Sequence, residues 1–197
     1  MKNFALLFLA GCACAPAPKK VVATEPPKPL APSQADGLTA FETVRGVLQS
    51  PRCQNCHPAG DAPLQGEDGR EHAMNVQRGP DGGGRAGEAC SACHGPANPS
   101  SNYGLHVPPG AADGWRMPKP EQKLVFVGVA PGELCRRLID PAQNGGKDAA
   151  ALRAHLDTPL VTWGWEPGFG RAPVATPFPQ FISAWETWAR AGTPCPQ

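Results

Sequence analysis

Apolar residues recur at helical spacing in a few short stretches of this chain, and nowhere for long. Thr39-Ala40-Phe41-Glu42 matches the capping box that opens a helix. Phe41, Val44, Val47 and Leu48 then follow the helical period, predicting a helix to about Gln49 that stops before Pro51. Three more helices are predicted in the C-terminal third. Pro131 to Ile139 carries Leu134, Leu138 and Ile139, with Pro131 suited to a first helical position. Lys147 to Leu156 follows an Asn144-Gly145-Gly146 turn. Pro179 to Ala191 sets Phe181, Trp185 and Trp188 on one face and ends at Gly192. Lys123 to Val129 is the one stretch that reads as a strand.

The N-terminal segment has a different pattern. Lys2 precedes an apolar run from Phe4 to Ala10, far shorter than the ~20 residues that span a bilayer. It fits the h-region of an export signal. Ala13 to Gly37 shows no apolar period and contains Pro16, Pro18, Pro26, Pro27, Pro29 and Pro32. At about 3.1 Å per residue such a tether reaches about 75 Å.

Composition narrows the fold. Of 197 residues, 25 are Pro and 23 are Gly. So many prolines forbid a coiled coil or long helical bundle, and no Val/Ile-rich runs support a doubly wound sheet. The expected fold is mainly α and loop-rich, in one compact domain with little regular β structure. Lys plus Arg total 18 against 17 Asp plus Glu, with no basic stripe, which argues against a nucleic-acid partner.

The chemistry lies in the 8 cysteines. Cys53-Gln54-Asn55-Cys56-His57 and Cys90-Ser91-Ala92-Cys93-His94 are two copies of C-x-x-C-H, the attachment site of c-type haem. Two cysteines three apart each form a thioether to a haem vinyl group, and the adjacent His supplies the proximal nitrogen to iron. A zinc ribbon places its pairs ~15–20 residues apart, whereas 33 residues separate Cys56 from Cys90. A thioredoxin-like pair needs a βαβ context, which is missing here. Neither alternative explains a His after both pairs. Two covalently attached haem c groups are expected.

Three histidines remain for the distal positions. His72 follows His57 by 15 residues, and His106 follows His94 by 12. Loops rich in Pro and Gly lead to both. The expected ligation is bis-histidine, with His72 and His106 distal, and the spacing assigns neither to a particular iron. Met74, Met117 and His155 are the alternatives. Gly79-Pro80-Asp81-Gly82-Gly83-Gly84 lacks the ending of a phosphate loop and reads as a flexible connector. Arg70, Arg78, Arg85 and Arg116 lie near the motifs as candidate partners for haem propionates. Cys135 and Cys195 are left over as an even pair, expected to form a disulfide in an oxidising compartment.

The chain resembles c-type cytochromes in placing a helix before the first motif. Its two motifs start only 37 residues apart, too close for two complete domains in series. Cys56-His57-Pro58-Ala59-Gly60-Asp61-Ala62-Pro63-Leu64-Gln65-Gly66 and Trp163-Gly164-Trp165-Glu166-Pro167-Gly168 are similar to a group of small exported di-haem proteins, some labelled "isoquinoline 1-oxidoreductase subunit". The resemblance covers about Thr39 to Pro196. Leu9-Ala10-Gly11-Cys12 resembles a bacterial lipobox, which implies lipidation of Cys12. The expected organisation is a lipoprotein-type signal peptide at 1–11, a Pro-rich tether at 12–37 and a di-haem domain at 38–197. The resemblance implies a periplasmic, membrane-anchored electron carrier. Its partners would be a periplasmic dehydrogenase as donor and a respiratory cytochrome or oxidase as acceptor. A di-haem peroxidase, with one open iron and a nearby acid/base group, is the enzyme alternative.

Overall fold

Ser33, not Thr39, opens the first helix. The computed structural model describes residues 30–105 and 107–197. The signal segment, Cys12, most of the tether and His106 lie outside the described residues. Helix α1 runs Gln34–Leu48. The Ser33 hydroxyl accepts from the Asp36 amide at 3.1 Å, while the Asp36 carboxylate accepts from the Ser33 amide at 2.9 Å. The helix therefore starts inside the span read as tether. Gly37, which looks like a breaker, lies buried within it. A Cβ there would meet Ala191 and Pro194 at 2.6 Å, so the missing side chain lets the C-terminal tail cross α1.

The architecture is mainly α and loop-rich. After α1 come α2 (Pro51–Gln54), a short antiparallel hairpin of β1 (Leu64–Gln65) and β2 (Arg70–Glu71), and a long loop region to residue 130. Then follow α3 (Pro131–Ile139), α4 (Pro141–Asn144), α5 (Ala149–Leu156), α6 (Pro159–Thr162) and α7 (Phe178–Arg190). Helix α3 begins at the proline the sequence marks. Asp148 caps α5 by accepting from the Ala151 amide at 2.8 Å. Lys123 to Val129 forms no strand. Leu124 has a φ of 45° and Gly128 a φ of 68°, which break the extended run.

The helical part has a core of its own. The α7 stripe is buried, with Phe181 and Trp188 at 1% exposure and Trp185 at 3%. It packs on α1, where the Phe41 and Trp188 rings lie 5.4 Å apart. Val44, Val47, Leu134, Leu138, Leu152 and Leu156 complete the cluster. A chain poor in aliphatic residues thus concentrates them among α1, α3, α5 and α7. Among the described residues, no helix is long and apolar enough to cross a membrane.

Cys135 and Cys195 form the expected disulfide, across 60 residues of sequence. It pins the tail over α3, where Trp188 Nε1 also donates to Pro194 O at 3.0 Å. By loop-closure entropy a loop of this length is worth about 4 kcal/mol. Cys135→Ala/Cys195→Ala is expected to lose about that much in chemical denaturation. An unchanged midpoint would contradict the tail's role.

Candidate functional site

Each C-x-x-C-H copy is wound into a helical turn. In the first, Ser50 precedes α2 and Pro51 starts it. The Cys53 amide donates to Ser50 O at 3.0 Å, Cys56 to Cys53 O at 3.3 Å, and His57 to Gln54 O at 3.0 Å. In the second, a 3₁₀ turn covers Cys90–Ala92, and the Cys93 and His94 amides both donate to Cys90 O. An i, i+3 pair on such a turn faces one side.

The glycines between the motifs pack rather than flex. Gly82 and Gly84 adopt φ of 86° and 100°. A Cβ on Gly82 would strike the Met117 carbonyl, and the Met117 amide donates to Gly82 O at 2.9 Å. The run read as a flexible connector is a close backbone crossing that only glycine permits.

Both motif histidines sit in the same kind of clasp. His57 Nδ1 lies 2.8 Å from Leu124 O, and its ring stacks on Phe126 at 4.0 Å. The Phe126 amide donates back to His57 O at 3.0 Å, so residues 124–126 close around this imidazole. His94 Nδ1 lies 2.7 Å from Pro109 O, and its ring stacks on Trp115 at 4.6 Å. A carbonyl oxygen only accepts, so in each ring Nδ1 carries the proton and Nε2 keeps its lone pair. Burial pushes the His57 pKa down to about 4 and lowers that of His94. Both rings are thus held neutral near pH 7, the state a metal requires.

None of the four motif cysteines takes part in a disulfide. Burial pushes Cys53 up to about 11 and Cys56 up to about 12. A redox-active C-x-x-C pair needs a lowered pKa, so this environment disfavours thiol–disulfide exchange. The Arg78 amide donates to Asp61 O at 2.7 Å, the Gly84 amide to Arg78 O at 2.9 Å and the Cys90 amide to Gly83 O at 2.8 Å, so backbone hydrogen bonds link the loop after the first motif to the second motif.

The other candidates separate clearly. His72 follows β2, its Nδ1 lies 2.8 Å from Ala73 O, and its ring centroid is 6.1 Å from that of His94. Met117 is buried, whereas Met74 is 83% exposed in the left-handed region. His155 lies half-buried on α5, where burial lowers its pKa.

Arg78 is the most deeply placed charge, at 1% exposure. Its guanidinium donates to Gly60 O at 2.9 Å and Pro118 O at 2.5 Å, and its Nε faces Asp61 at 3.4 Å. These partners are protein groups, so Arg78 ties loops together rather than offering a propionate site. Arg70 pairs with Asp68, and Arg85 with Glu88. Arg52, absent from the sequence candidates, is buried beside the first motif. It pairs with Glu67 and lies 5.9 Å from the Trp163 ring centroid. Asn98 was also missed. It accepts from Trp163 Nε1 at 3.0 Å and from the Gly110 amide at 3.2 Å, joining the second motif's loop to the Trp163-Gly164-Trp165 segment. A cavity of about 380 Å³ lies between them, bounded by Pro96, Ala111, Trp163, Trp165 and Phe178.

These donor sets fit haem better than zinc. Among the described residues, no three His, Cys, Asp or Glu side chains converge on a metal position. A tetrahedral zinc needs four protein ligands, whereas a porphyrin supplies its own nitrogens and asks the chain for thiols and axial imidazoles. The Arg52 Nε and Asn55 Oδ1 atoms, buried without partners, add polar groups beside the first motif.

The chain was compared with protein-family models, curated proteins and solved structures, and it matches none of them. The likeness to exported di-haem proteins therefore rests on the motif residues themselves.

Proposed function

We propose that this protein is an exported di-haem c-type cytochrome, carrying electrons between a periplasmic dehydrogenase and a respiratory acceptor while tethered through a lipid on Cys12. The observation that carries the reading is the duplicated clasp. Two C-x-x-C-H turns each hold a cysteine pair outside any disulfide and a neutral imidazole, with Nδ1 engaged by a backbone carbonyl and a flat ring stacked alongside.

Bound haem supplies one-electron exchange between ferric and ferrous iron. The chain's residues do the rest. Cys53 and Cys56 would anchor one porphyrin, and Cys90 and Cys93 the other. His57 and His94 would hold the irons. The carbonyls of Leu124 and Pro109 fix the ring planes and raise imidazole basicity. Phe126 and Trp115 limit water beside those rings. The close spacing of the motifs in the chain and the backbone hydrogen bonds that link their loops favour direct electron passage between the haems.

The test is optical and EPR spectroscopy of protein matured with a haem-attachment system. Two six-coordinate low-spin haems are expected. A stable five-coordinate high-spin haem with peroxide turnover would replace the carrier with a peroxidase.

A further inference from the structure

We infer that His72 is the distal ligand of the iron held by His94, so that the second haem is closed by a side chain from the segment following the first motif. This rests on the di-haem reading and adds to it which iron His72 takes.

The ring spacing comes first. An iron bonded to imidazole nitrogens at about 2 Å on each side places the two ring centroids about 6 Å apart. The His72 and His94 centroids are 6.1 Å apart, with planes at 59°. The two Nδ1 atoms are engaged by different carbonyls, Ala73 O and Pro109 O, which leaves Nε2 as the metal-binding nitrogen on both rings. Both motif rings are stacked on an aromatic neighbour, but among the described residues His94 has a second imidazole at this spacing and His57 has none.

The hairpin explains how a residue near the first motif reaches the second. The Leu64 amide donates to Asn55 O at 2.8 Å, and Asn55 Nδ2 donates to Gly66 O at 3.0 Å, so β1 is fixed to the first C-x-x-C-H turn. The His72 amide donates to Pro63 O at 2.9 Å at the hairpin's open end. Met74 and Asn75 then turn the chain through left-handed φ of 66° and 54°. Arg85 holds that turn by donating to Asn75 O at 3.1 Å. The arm bearing His72 is thus braced at both ends, by the first motif and by the segment entering the second. Coordination at the second iron then depends on the fold around the first.

The test uses the full chain with both haems attached. In His72→Ala, half of the low-spin EPR signal should be lost, one carbon monoxide should bind per reduced protein, and added imidazole should restore the low-spin signal. In His72→Met, one of the two reduction potentials should rise and that haem should acquire the absorption of thioether ligation. Retention of two bis-imidazole haems in both variants would overturn the assignment. A single-haem background locates the iron. With Cys90→Ala/Cys93→Ala, which keeps only the first haem, adding His72→Ala should change nothing, and a shift to high spin there would overturn the assignment. Intact mass keeps the two failures apart. Two haems with an unaltered His72→Ala spectrum reject the ligand alone, whereas wild-type protein without haem rejects the di-haem reading and the ligand together.

Discussion

Cys53→Ala/Cys56→Ala is expected to lose the first haem entirely and to lower the melting temperature, whereas Cys90→Ala/Cys93→Ala should lose one haem and leave the helical core standing. The two motifs differ in what they pack against. Cys53 packs on the core cluster, one turn beyond α1 and the buried Val47 and Leu48. Cys90 and Cys93 lie on a 3₁₀ turn among loops, and Cys93 is exposed. Loss of the first porphyrin therefore opens a surface against the core. Loss of the second opens one among loops held by Asn98. Haem stoichiometry by intact mass and melting curves for both variants measure this. Equal melting for the two, or two haems retained by either, would contradict it.

Arg78→Leu should be the most damaging single substitution outside the motifs, costing about 3–5 kcal/mol. The side chain is nearly fully buried and binds the loop after the first motif, at Gly60 and Asp61, to the Met117-Pro118 segment. That segment leads to the Leu124–Phe126 clasp on His57. Leucine fills the space but leaves the carbonyls of Gly60 and Pro118 unpaired. Arg78→Lys should rescue only partly, because one ammonium lacks the planar fork that reaches several carbonyls at once. Urea denaturation gives the loss, and the first haem's yield should fall with it. A change below about 1 kcal/mol, the usual range for an exposed charge, would show that Arg78 is not the tie between these loops.

The helices were largely legible and the clasps were not. The boundaries of α3 and α7 follow from a proline start and an apolar stripe, both local signals. The Cys135–Cys195 bond followed from counting cysteines once the motifs and Cys12 were set aside. The start of α1 was misplaced because Thr39-Ala40-Phe41-Glu42 also fits a capping box, whereas the box that forms is Ser33 with Asp36, inside the span read as tether. Lys123 to Val129 has the apolar content of a strand, but its Phe126 amide and Leu124 carbonyl serve His57 instead of a sheet partner. Leu124 is 67 residues from His57, and Pro109 is 15 from His94. No periodicity connects such pairs, so only the fold reveals the carbonyls that set the histidine tautomers. The sequence offers His72 as a candidate ligand, but which iron it would take depends on the hairpin's direction, which two-residue strands do not announce.

The most direct test of the central claim is the intact mass of the mature chain, measured under denaturing conditions after expression with a haem-attachment system. The account predicts two covalent haems, with Cys53, Cys56, Cys90 and Cys93 all unavailable to thiol reagents. A mass with no added haem, and those four thiols open to alkylation, would contradict it.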